Sequence, residues 1–312
     1  QLVEAGSCAQ VFACFVLSEH SPGQERERAE SMIGKIYSMA DESGGSLRIV
    51  KTSGGLRASC DGGEGIAAII GLEGADPLEG RAESLRHFHE LGVRDIIPAW
   101  QDNPFSGTAF GTNTPLTAEG KKLIELSEEL QVMVDVSHLS DKAFADVCEI
   151  SKRPFIASHS NCRSLCPTLR NLTDDMIRTL SDHGGVMGIN LSPSFLDPDY
   201  YVQAFPRWQR SLEPGVSRDE KERLRAEERG LPRPAIDWIV RHMLQAIDVG
   251  GEDVIGLGGD LDGTSSTPTG IESIADYVKL PDLLLAAGLS TGQVEKVCYA
   301  NFERVFSEIL PD

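Results

Sequence analysis

Residues 132–141 read VMVDVSHLSD. The run is apolar and β-branched, as a strand buried on both faces requires, and it breaks off at Asp135-Val136-Ser137-His138. Ser140 or Asp141 then supplies an N-cap for a helix over 141–150. A strand, a short polar turn and a capped helix make one βα unit, and the histidine stands at the strand's C-terminal end.

The same unit recurs along the chain. AQVFACFV (9–16) precedes the helical pattern RERAESMIGKIYSMADE, and IAAIIGLEG (66–74) precedes PLEGRAESLRHFHELG, which Gly92 stops after Leu91. VRDIIPAW (93–100) leads through a Gly/Asn/Thr-rich loop to TAEGKKLIELSEEL, whose start is marked by Thr117. PFIASHS (154–160) leads to TDDMIRTLSDHG, where Thr173 caps and Asp174 and Asp175 meet the positive end of the helix dipole. GVMGINLS (185–192) and DVIGLGGDLDG (253–263) complete the series. Apolar runs alternating with helices predict parallel strands, and this many repeats predict an α/β protein of the closed (β/α)8 TIM barrel type. We read 1–312 as one barrel domain.

Seven strand–helix units are clear where a barrel needs eight. SLRIVKT (46–52) is followed by SGGLRASCDGGEG, which reads as turns, so this stretch is expected to form a small hairpin at the rim. One strand is then absent, and because the chain opens on Gln1 rather than Met, the first strand is expected upstream. Between about 196 and 235 lies a charged insertion, a solvated excursion on a βα loop, where a lid over the site would sit.

Composition narrows the partners. The formal net charge of −19 repels nucleic acid and anionic membrane, and 40% hydrophobic with 25% charged residues suits a globular chain. No apolar stretch reaches the roughly 18 residues of a membrane span. Seven cysteines are an odd number and fit reduced thiols in a cytoplasmic protein. Cys162 and Cys166 lie four apart just beyond His159, a spacing open to a metal or redox role, with small apolar residues on one helical face the favoured reading.

In a barrel the reactive groups stand at the C-terminal ends of the strands. The polar residues closing the runs are Glu73, Trp100, His138, His159, Asn190 and Asp260. Imidazole nitrogens and carboxylate oxygens form the ligand set of zinc and its relatives, so Glu73, His138 and His159 are the metal candidates. His87 and His89 fall in a helix, His20 and His183 in loop-like sequence, and His242 in a helical stretch whose periodicity indicates packing.

These residues bring a known family into view. The segments GLEG (71–74), ELGVRDIIPAW (90–100), FGTNTPLTAEGKKLIELSEELQVMVDVSHLSDKAFADV (110–147), RPFIASHSNCRSL (153–165), LRNLTDD (169–175), GGVMGIN (184–190), VIGLGGDLDG (254–263) and ANFERVF (300–306) run in the order of the membrane (renal) dipeptidase family. The chain resembles its bacterial branch, zinc-dependent amidohydrolase-type barrels. The resemblance implies hydrolysis of dipeptides, including those with a C-terminal D-residue, by a zinc-activated hydroxide. It implies two zinc ions bridged by Glu73, with His138 and His159 on one of them. Asp260 would move the proton from water to the leaving amine, and Arg170 would clamp the substrate carboxylate. A homodimer is also implied.

Two departures from the family pattern stand out. The His-x-Asp pair that holds the other zinc is absent, since none of the seven histidines is followed two places later by Asp. Trp100 occupies the place where the animal enzymes carry a substrate-polarising histidine, which the bacterial branch often replaces with tryptophan, so the metal would carry more of the carbonyl polarisation. Two other readings remain open at this stage: another amidohydrolase reaction, on a lactone or an acylamino acid, or a metal-poor binding protein built on the same pocket.

Overall fold

The structure is a computed structural model that describes residues 1–312 apart from 64 and 214, with the side chains of His20 and Leu212 also outside the described set. Eight strands are present: β1 (Ala9–Phe15), β2 (Leu47–Ile49), β3 (Ile66–Glu73), β4 (Val93–Ile97), β5 (Met133–Val134), β6 (Ile156–Ala157), β7 (Val186–Ile189) and β8 (Ile255–Leu257). Every strand pairing is parallel. The order β1-β3-β4-β5 continues through the parallel bridge Asp135↔Ile156 into β6-β7-β8. Thus seven strands follow one path, as the repeat count predicts, and the architecture is of the TIM barrel type. Among the described residues no strand pairs with the outer edge of β1 or of β8.

The strands are joined by α1 (Glu25–Glu42), α2 (Ser53–Cys60), α3 (Leu85–Glu90), α4 (Ala118–Glu129), α5 (Asp141–Ile150) and α6 (Asp174–Asp182). After β7 come α7 (Pro193–Leu196), α8 (Pro198–Leu212), α9 (Arg218–Arg229) and α10 (Asp237–Gly250). β8 leads to α11 (Leu280–Ala286), α12 (Thr291–Glu295) and α13 (Asn301–Ile309). The caps read from sequence are in place. Thr117 accepts from Gly120 N, Ser140 from Ala143 N and Thr173 from Met176 N, with Asp141 in the first turn of α5 rather than capping it. β3 is buried on both faces, with Ile66, Ala67, Ala68, Ile69, Ile70 and Leu72 all in the core.

The segment 46–52 is not a rim hairpin. Leu47–Ile49 runs parallel to Ile66–Ala68, on the edge of β3 whose later residues pair with β4. A parallel neighbour needs a crossover, and α2 provides it where the glycines of SGGLRASC suggest turns. Its stability comes from context rather than propensity. Thr52 caps Gly55 N, Leu56 is buried, and Ser53 N donates to the Pro311 carbonyl at the end of the chain.

The insertion at 196–235 forms α8 and α9. Leu224 is the buried residue of the charged α9, so the charged middle of the insertion is a solvated helix. On α8, Phe205 and Trp208 stack on each other and meet Phe110, which lies in the loop after β4 (centroids 5.6 and 4.7 Å). The insertion therefore rests on a βα loop at the strand C-terminal end, where the candidate residues stand.

Candidate metal centre

Three strand ends bring their polar side chains to one point. Glu73 closes β3, and His138 and His159 follow β5 and β6 by a few residues. His138 Nε2 lies 3.1 Å from Glu73 Oε1 and 2.9 Å from His159 Nε2, and His159 Nε2 is 3.7 Å from the same carboxylate oxygen. Their ligand atoms all lie within 4.8 Å of one another, which among the described residues is the group able to hold a metal ion. Two imidazole nitrogens and a carboxylate oxygen converging in this way match the donor chemistry of zinc. Burial drives both imidazoles well below their usual range, so they are neutral and available as ligands. Burial also raises the Glu73 carboxyl to about 7, against the opposing charge of Arg170.

The backbone at His138 is left-handed, with φ of 71°, and that of Asp260 likewise, with φ of 61°. A non-glycine residue held there costs roughly 1–3 kcal/mol and persists only where its surroundings fix it. At His138 the surroundings are visible. The His138 carbonyl accepts from Ala109 N, Ser140 N donates to the Gly107 carbonyl, and α5 is capped immediately beyond. The turn from strand to helix thus aims the imidazole into the barrel mouth.

Below the triad, Asp135 ties the two histidine-bearing turns together. Its Oδ1 accepts from Ser137 N (2.9 Å) and Ser158 N (3.0 Å). Ser137 Oγ in turn accepts from His159 N (3.2 Å), and Ser158 Oγ lies 2.7 Å from His159 Nδ1. Asp135 and Asp95 are both buried, and each has one oxygen, Oδ2 and Oδ1 respectively, without a partner. Burial, then Asp135 and Glu73, push Asp95 well above the carboxylate range. Sequence reading missed both aspartates as site components. The available signal was a charged residue inside each apolar run, VMVDV and VRDII.

The other predicted residues surround the triad. Asp260 Oδ2 accepts from Asn190 Nδ2 at 3.0 Å, and burial, followed by the Glu73 charge, raises its carboxyl to about 7. Arg170 is buried and donates from Nε to His138 Nδ1 (3.2 Å), from Nη1 to Ser160 Oγ (3.1 Å) and from Nη2 to the His159 carbonyl (3.1 Å). Its ring-facing side meets Phe195 at 5.8 Å. Trp100 packs between Phe15 (4.8 Å) and His138 (5.8 Å). Three of the other histidines are engaged elsewhere. His87 pairs with Glu30, His183 bonds the Thr179 carbonyl, and His242 is buried between Cys162 N and the Leu196 carbonyl. Cys162 and Cys166 are buried and donate to the carbonyls of His242 and Ser194, the packing role that small apolar residues play.

Fold and site together define the class: a barrel of the metal-dependent hydrolase type with a two-histidine, one-carboxylate centre. Residues 1–310 match the model of the membrane dipeptidase family, peptidase family M19, and the chain belongs to that family. An uncharacterised protein of the pqqA 5' region in Klebsiella pneumoniae is 29% identical over 296 residues, covering 92% of this chain and 98% of that one. Dipeptidase 3 of Mus musculus is 30% identical over 271 residues, covering 84% of this chain, which spans about half of that protein (48%). Among solved structures, a dipeptidase AC metallopeptidase superposes with a TM-score of 0.85 at 26% identity, covering 100% of this chain and 88% of that one. A metallopeptidase of Rhodobacter sphaeroides, liganded with a phosphinate mimic of the dipeptide L-Ala-D-Ala, shares the fold with a TM-score of 0.83 at 24% identity, covering 99% of this chain and 88% of that one. No described helix is long and apolar enough to cross a membrane.

Proposed function

We propose that this chain hydrolyses dipeptides, with zinc held by Glu73, His138 and His159. The observation that carries the reading is the convergence of those three ligand atoms within 4.8 Å, with the half-buried Asp260 carboxyl and the buried Arg170 guanidinium near them. The chemistry supplied by a zinc ion held there is Lewis acidity toward the attacking water and the scissile carbonyl. This triad serves one ion, and ligands for a second ion of the His-x-Asp type are not among the residues of this sequence.

The chain's own groups divide the remaining tasks. Asp260, with its carboxyl near 7, is suited to accept a proton from the water and return it to the leaving amine. Asn190 holds that carboxyl in place through Oδ2. Arg170 is suited to a substrate carboxylate, which its planar fork matches in a bidentate contact. To serve there it must give up its contact with His138 Nδ1. That contact requires an unprotonated Nδ1, whereas a ligand role for Nε2 puts the imidazole proton on Nδ1, so the two uses of His138 exclude each other. Trp100 forms the wall beside His138, and the helix α8 covers the loop carrying Phe110.

A substrate panel on the zinc-supplemented chain tests the proposal. L-Ala-D-Ala and L-Ala-L-Ala should be hydrolysed, their C-terminal amides poorly, and a lactone not at all. Turnover of an N-acetyl amino acid or a lactone in preference to every dipeptide would replace this reading with another amidohydrolase activity.

A further inference from the structure

Far from the strand C-terminal ends, two thiols face each other. Cys8 directly precedes β1 and Cys60 is the last residue of α2, and their sulfurs lie 2.8 Å apart although 52 residues separate them in sequence. Both are partly exposed. We infer that Cys8 and Cys60 are a dithiol modification site that closes to a disulfide on exchange with a low-molecular-weight disulfide.

The two sulfurs are not equivalent. The contact between the two thiols holds the Cys8 thiol below its usual range, while the same contact and burial push Cys60 upward. Cys8 is therefore the attacking group and Cys60 the resolving one. The other five thiols lack this arrangement. Cys14, Cys162 and Cys166 are buried and pushed up to about 12, and Cys148 and Cys298 to about 11.

The exchange balances in two steps. The Cys8 thiolate attacks a small disulfide RSSR, forming a Cys8–SR bond and releasing one RS⁻. Cys60, losing its proton to the released thiolate, attacks the Cys8 sulfur and expels the second RS⁻, which takes the proton first lost from Cys8. Two protein thiols are oxidised to one disulfide and RSSR is reduced to two RSH. The bond would tie the start of β1 to α2 across the loop that contains α1 and β2. β1 is an edge strand among the described residues, paired with β3 alone, so the link restrains a strand held on one side.

The test exposes the full chain to oxidised glutathione, quenches in acid, alkylates the remaining thiols, and maps them by mass spectrometry after digestion. The expected result is a Cys8–Cys60 linked peptide pair, with five of the seven thiols still alkylated (seven less the two joined). In Cys60→Ser, where resolution cannot occur, Cys8 should instead retain one glutathione. Seven alkylated thiols in the wild type, a linkage between any other pair, or a Cys60→Ser chain that takes glutathione elsewhere and not on Cys8 would each overturn the inference.

Discussion

Replacing Asp135 by alanine probes how the two histidine turns are held. Its Oδ1 serves the amides of the buried Ser137 and the half-buried Ser158, so Asp135→Ala leaves two N–H groups without an acceptor. Each such loss costs about 1–3 kcal/mol, giving about 2–6 kcal/mol for the pair. The deletion also removes a buried carboxyl whose other oxygen is unpartnered and which raises Asp95, a relief that favours the lower half of that range, about 2–4 kcal/mol. Asp135→Asn is the control, because its carbonyl oxygen still accepts from both amides, and its expected loss is below about 1 kcal/mol. Urea unfolding at neutral pH measures the differences at constant m. Zinc titration against a chromophoric chelator reads the second consequence, since outer residues that orient metal-binding histidines are typically worth about 10–100-fold in affinity. Asp135→Ala should show that loss and Asp135→Asn much less of it. An alanine variant with the wild-type urea midpoint and zinc affinity would refute the idea that Asp135 organises the turns.

Further outcomes follow from the same geometry. Asp260→Asn should lower kcat for a dipeptide by about 10²–10⁴-fold, with KM nearly unchanged, and a steady-state assay showing normal turnover would remove the proton-transfer assignment. Arg170→Lys should raise KM for a dipeptide at least several-fold and leave the poor activity on its amide unchanged; an equal change on both would argue against a carboxylate contact. His242 has a folded pKa of about 4 against 6.5 for an ordinary histidine, so the unfolded chain takes its proton first. Stability from this group is full above pH 6.5, falls as pH drops toward 4, and levels off below, a change of about 3 kcal/mol. His242→Gln should lose correspondingly less stability than wild type between pH 7 and pH 4, as urea midpoints at the two values would show. Ser140→Ala removes the cap of α5 and should cost about 1 kcal/mol in the same assay.

The strand-end reading worked where backbone periodicity carried the information. Once 66–73 and the runs around 133 and 156 are taken as neighbouring parallel strands, the convergence of Glu73, His138 and His159 follows from barrel geometry. What escaped the sequence depended on tertiary context. The glycines of SGGLRASC hide α2, because its helix rests on the Thr52 cap and on packing near the chain's end rather than on propensity. Asp95 and Asp135 read as interruptions of apolar runs, and only their burial and partners reveal them as part of the layer beneath the triad. Arg170 was found through the LRNLTDD resemblance, but its donors to His138, Ser160 and the His159 carbonyl come from loops that no local pattern brings together.

Zinc binding to the full chain and to His138→Asn and His159→Asn addresses the centre itself. The account predicts that the wild-type chain binds zinc at the triad and that either substitution weakens it by at least about 100-fold while the unfolding free energy from urea denaturation stays within about 1 kcal/mol of wild type. Zinc affinity equal in all three chains would place the metal elsewhere and contradict the proposed site.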